Sequence, residues 1–118
     1  MKRAVVLGLC LLGGLAGAAA AKEGAQAHLV APLPAHAAAG TRITIRWTVD
    51  VPDESGNRVP FGAIGMFVRL VGRNGARTQA TAPQSSGPFT VKLRVPRGGI
   101  RAIRFGLHGS SDIFFPLT

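Results

Sequence analysis

An all-β, immunoglobulin-like antiparallel sandwich of about seven strands, placed after an N-terminal signal peptide, is the architecture this sequence predicts. Three observations lead there. The first is the start: Met1-Lys2-Arg3 is followed by Ala4 to Ala21 without a single charge, the layout of a secretory leader. The second is period-two alternation of apolar and polar residues in several short segments, which gives a strand one buried and one solvated face. The third is punctuation. Gly and Pro clusters separate those segments at the regular spacing of a sandwich. A small barrel is the alternative way to close the same strands.

Taken in order, the leader has two ends that satisfy the small-x-small rule. Cleavage after Ala19-Ala20-Ala21 would leave Lys22 first, and cleavage after Ala25-Gln26-Ala27 would leave His28 first. Residues 1–27 are assigned as signal peptide, with 21 as the alternative end, and 28–118 as one domain. The Gly/Ala-rich second half of the apolar run favours removal over a permanent anchor, so no membrane span is expected in the mature chain. Pro32 and Pro34 exclude a helix over 22–40, leaving at most a short edge strand at His28-Leu29-Val30.

Thr41 to Val49 is the clearest strand: Ile43, Ile45, Trp47 and Val49 alternate with Arg42, Thr44, Arg46 and Thr48. Trp47, the sole tryptophan, falls on the apolar side and is expected in the core. Asp50 to Pro60 reads as a polar loop. A strand over Ile64 to Val71 follows, with Ile64, Met66, Val68 and Leu70 on one face. Asn74-Gly75 is a hairpin signal, with Arg77 to Thr81 as the return strand. Phe89 to Val95 alternates again, Pro96 to Gly99 turns the chain, and Ile100 to Leu107 returns it. Ile113-Phe114-Phe115 is the last strand.

Composition narrows the function. The chain has 118 residues and a formal net charge of +9. From residue 28 onward eleven Lys and Arg stand against four acids, a balance that attracts anionic polymers or surfaces. The only cysteine, Cys10, lies in the leader, so the mature domain enters an oxidising compartment with no disulfide to form. If the strands bearing them share a sheet, Arg42, Arg46, Lys92, Arg94, Arg101 and Arg104 form a cationic face. Nucleic acid is not the expected ligand of an exported chain with no Tyr and its Trp buried, which leaves no platform for base stacking.

Catalytic machinery is not expected. His108, Ser110 and Asp112 sit together in one short loop, whereas a triad is assembled from separate elements. Asp50, Asp53, Glu54 and Asn57 lack the spacing of a calcium loop. One metal reading does arise. If His28 is the first residue, its imidazole and free amine form a chelate suited to Cu(II), which either His36 or His108, together with Asp112, would complete.

At this point the sequence resembles two families of exported sandwiches. The segment His28-Leu29-Val30-Ala31-Pro32-Leu33-Pro34 is similar to the start of the copper-resistance protein C family, whose mature chain opens on a copper-binding His. Asp53 to Pro60, Gly87-Pro88-Phe89 and Val95 to Gly99 are similar to the YtkA-like domain group. The resemblance implies a sandwich and, through His28 alone, a copper site; the Met-rich Cu(I) segment of some relatives has no counterpart, since Met66 is the one methionine after the start. The expectation is a secreted or periplasmic, non-catalytic binding or accessory module without a cofactor, its basic face meeting a protein or an anionic envelope component. A small periplasmic copper-binding protein is the alternative.

Overall fold

The computed structural model describes residues 23–118, so the expected leader lies outside the described residues as far as Lys22. Eight strands build two four-stranded antiparallel sheets that pack face to face. One sheet holds β1 (Gln26–Leu29), β2 (Arg42–Pro52), β3 (Arg58–Pro60) and β6 (Phe89–Arg94). The other runs β5 (Arg77–Thr81), β4 (Met66–Val71), β7 (Ala102–Leu107), β8 (Ile113–Phe115). The predicted antiparallel sandwich is therefore the observed one. No helix among the described residues is long and apolar enough to cross a membrane.

β2 is the hub of its sheet. It pairs with β6 over Arg42–Trp47, with β1 over Trp47–Asp50, and with β3 over Asp50–Pro52. Its alternation puts Ile43, Ile45, Trp47 and Val49 inside, against Met66, Val68 and Leu70 of β4 and Phe105 of β7. Trp47 is fully buried and its ring lies 5.6 Å from Phe89 and 5.0 Å from Phe105, centroid to centroid. Phe89 joins from β6 and Phe105 from the opposite sheet, so Trp47 couples the two layers. The tail after β8 also bridges them: Ala27 N–H donates to the Pro116 carbonyl at 2.8 Å, and Thr118 N–H to the Ala27 carbonyl at 2.9 Å.

Three details differ from the sequence reading. The segment read as a loop over 50–60 contains β3, because Asp53 closes a tight turn through its carboxylate to the N–H groups of Ser55 and Asn57 and sends Arg58–Pro60 back along β2. Ile64 is not a core residue; it is 70 % exposed. Gly65 adopts φ +104°, a backbone that restarts the chain, so β4 begins only at Met66. β1 starts at Gln26, two residues before the expected His28.

Phe67 shows how a side chain on the outward face can be buried. It lies fully buried beneath His108, stacked at 4.1 Å, and Phe114, edge-on at 5.6 Å. The space for it comes from Gly106, its cross-strand partner. A Cβ at Gly106 would sit 2.6 Å from the Phe67 ring and 2.5 Å from the Ile113 carbonyl oxygen, the close approach that glycine inside a strand marks. Gly106→Ala is expected to lower stability by about 1–3 kcal/mol, as overpacking does, read as a lower urea midpoint with an unchanged slope.

Candidate functional site

The strand directions divide the charges between the two ends of the sandwich. At one end lie the start of β2, the end of β6, the end of β4, and the starts of β5 and β7. Arg42, Arg73, Arg77, Arg94, Arg97 and Arg101 are on these termini and the turns joining them. The opposite end carries the last residues of β2, the 53–57 turn, the segment before β1 and the 108–112 loop. All five described acids, Glu23, Asp50, Asp53, Glu54 and Asp112, belong to it. Among the described residues, Arg58 is the one Lys or Arg side chain paired with a carboxylate, that of Asp50. The other ten described cations stand without an anionic partner.

A groove opens at the basic end, about 540 Å³ in volume, with Arg77, Arg94 and Arg97 on its lining beside Gly40, Thr78 and Pro96. Its walls are built by cross-sheet ties. Thr78 Oγ1 donates to the Arg94 carbonyl at 2.6 Å, joining β5 to β6. Arg73 N–H donates to the Arg97 carbonyl at 2.9 Å, locking the 72–75 turn onto the 96–99 turn. Gly72 must be glycine for this contact, since a Cβ there would collide with the Arg97 carbonyl oxygen. Arg94 Nη1 donates to the Gly40 carbonyl at 3.0 Å, which fixes one guanidinium at the groove while the side chains of Arg77 and Arg97 stay exposed.

The six residues expected to share a face divide. Arg42 pairs across from Arg94, Thr44 from Lys92 and Arg46 from Thr90, so Arg42, Arg46, Lys92 and Arg94 do share the outer face of the β2–β6 sheet. Arg104 lies on the other sheet, opposite Arg69, and Arg101 precedes β7 at the basic end with its N–H on the Val71 carbonyl. The reason is long-range pairing. β7 follows β6 in sequence but crosses to the second sheet to pair with β4. Arg73 and Arg77 were not expected at a site; they flank the Asn74-Gly75 turn, as Arg97 belongs to the Pro96–Gly99 turn, and only the fold apposes the two turns.

The metal candidates are dispersed. His28 Nε2 bonds to Asp50 Oδ2 at 2.8 Å, and its Nδ1 to Thr118 Oγ1 at 2.9 Å. His108 Nδ1 contacts Asp112 Oδ1 and its Nε2 contacts Thr81 Oγ1, both at 3.1 Å. His36 is exposed in the segment before β2. Among the described residues no group of three or more His, Cys, Asp or Glu side chains comes together. The line from Thr81 through His108 to Asp112 has the order of a nucleophile, base and orienting acid. Its surroundings, though, are Phe67 and Phe114 with Arg69 over both rings, and the line serves to hold the 108–112 loop against β5. Ser110 takes no part in it.

A larger cleft of about 630 Å³ lies at the acidic end, between β3 and the 85–88 segment. Its one cation, Arg58, is already engaged: Nε donates to Asp50 Oδ1 at 2.8 Å and Nη2 donates to Asp50 Oδ1 and to the Asp50 carbonyl. Burial pushes the Asp50 carboxyl up, but the bonds from Arg58 and His28 together outweigh it and hold the group below its ordinary value of 3.8. A folded-state value below the unfolded one means the stabilisation is complete above pH 3.8 and is lost as pH falls through the lower folded value. The thermal midpoint is therefore expected to drop on acidification from about pH 4 toward pH 2, and Asp50→Asn to remove part of that drop, as calorimetry at several pH values would read.

Comparison with protein-family models, with curated proteins and with solved structures returns no match to this chain.

Proposed function

We propose that this protein is an exported, non-catalytic binding module that holds an anionic polymer of the cell envelope at its basic end. The observation that carries this reading is the segregation of charge: six arginines gather at one end of the sandwich, and all five described acids at the other. Unpaired like charges so close together repel one another, and a polyanion lying across them relieves the repulsion. The groove of Arg77, Arg94 and Arg97 supplies a seat for one acidic group of the polymer, sulfate, phosphate or carboxylate, which a guanidinium recognises through paired N–H donors. Arg42, Arg46 and Lys92 extend the positive surface along the adjoining sheet face for the rest of the strand.

Heparin-agarose and immobilised polyphosphate are suitable probes. The wild-type protein is expected to be retained at low ionic strength and released by added salt, with affinity falling linearly on a log–log plot as counterions compete. Passage through both columns at low salt would overturn the reading and direct attention to a protein partner instead.

A further inference from the structure

We propose that the leader is removed after Ala21, so that the mature chain begins at Lys22 and keeps residues 25–27 as part of the folded domain. This rests on the export half of the functional reading, and not on what the protein binds. The sequence permits cleavage after Ala21 or after Ala27; the structure distinguishes them by what each product can fold.

Ala25 is 3 % exposed and Ala27 is fully buried, and both belong to the main core cluster. Gln26 and Ala27 pair with Asp50 and Val49 of β2. Ala27 is also the point at which the two sheets are stitched, through its N–H to Pro116, its carbonyl to Thr118, and a parallel bridge to Leu117. Cleavage after Ala27 would delete both alanines and half of β1. It would strip the Pro116 carbonyl and the Thr118 N–H of their partners, and set a charged ammonium at His28 beside the core, where unpaired polar groups are costly. Cleavage after Ala21 leaves every one of these contacts in place.

A signal peptidase acts on the extended chain during export, so the fold does not shield either bond. It decides instead which product is a complete domain. The apolar run also ends at Ala21, with Lys22 and Glu23 after it. One chemical consequence follows directly. With Lys22 at the front, His28 has no free amine, and the amine-plus-imidazole chelate that a copper site at His28 requires does not exist. His28 is then a strand residue holding Asp50 and Thr118.

The test is the intact mass of the full-length chain after export from a bacterial host. A chain beginning at Lys22 is the expected result; one beginning at His28, or one retaining Met1, would overturn the proposal. Pulse-labelling of the Ala25→Glu variant gives a second measurement that does not depend on folding. The substitution puts a bulky charge at a small-residue position of the later site and blocks cleavage there, but it lies beyond the earlier one. Processing at the wild-type rate is expected, and accumulation of precursor would refute cleavage after Ala21. Neither readout involves polymer binding, so a failure here and a failure on the polyanion columns are told apart.

Discussion

Trp47→Ala is expected to lower stability by about 3–5 kcal/mol, the range for truncating a buried large aromatic. A domain of this size has only about 5–15 kcal/mol in hand, so the thermal midpoint should fall by roughly 15–30 °C. The physical reason is position as much as size. Trp47 touches Phe89 within its own sheet and Phe105 across the core, so its removal opens a cavity where the layers are held together. Trp47→Phe should cost far less. The Nε1 donor of Trp47 is buried with no acceptor among the described residues, and an unsatisfied buried donor costs about 1–3 kcal/mol, which phenylalanine does not incur. Urea unfolding followed by circular dichroism would read both variants. Equal losses for the two would refute the assignment of Trp47 as the tie between layers.

Reversing two charges at the groove, Arg77→Glu with Arg97→Glu, is expected to weaken retention on heparin by roughly a hundredfold and to flatten the salt dependence by about two units of slope. Both side chains are exposed and neither makes a side-chain hydrogen bond or ion pair among the described residues, so the fold should be unaffected, within about 0.5 kcal/mol. The matched control is Arg46→Glu with Lys92→Glu, which changes net charge equally on the adjoining sheet face at residues that do not line the groove. A smaller loss is expected there. Identical losses from both pairs would mean that retention follows net charge alone and that the groove has no particular part in it.

Much of the framework was legible because it depends on local pattern. The alternation in 41–49 and 89–95 placed Ile43, Ile45, Trp47, Val91 and Leu93 inside, and the Asn74-Gly75 turn located the β4–β5 hairpin. Other features depend on partners distant in sequence, which alternation does not encode. β3 was hidden because Pro52, Gly56, Asn57 and Pro60 make its surroundings read as loop. Phe67 and Val71 on either side of Arg69 made cover on both faces of β4 legible, and Phe67 is buried; the room that Gly106 makes for it, far along the chain and directly opposite on β7, was not. The basic groove was the least legible. Arg77, Arg94 and Arg97 sit on three different segments, and only the apposition of two turns makes them neighbours. Arg104, by contrast, went to the far sheet with β7.

The arrangement around β2 has a kinetic consequence. Its main partner, β6, is paired from Arg42 to Arg94, and the whole β4–β5 hairpin of the opposite sheet is threaded between them in sequence. Closing that long loop costs chain entropy before any of the ladder is gained, and topologies dominated by such non-local pairing fold in milliseconds to seconds rather than microseconds. For a chain proposed to cross a membrane, sluggish folding is useful. If the chain is exported as proposed, slow closure of the β2–β6 ladder would keep the polypeptide threadable through a translocation pore, and the sandwich would close once β6 and β7 had emerged.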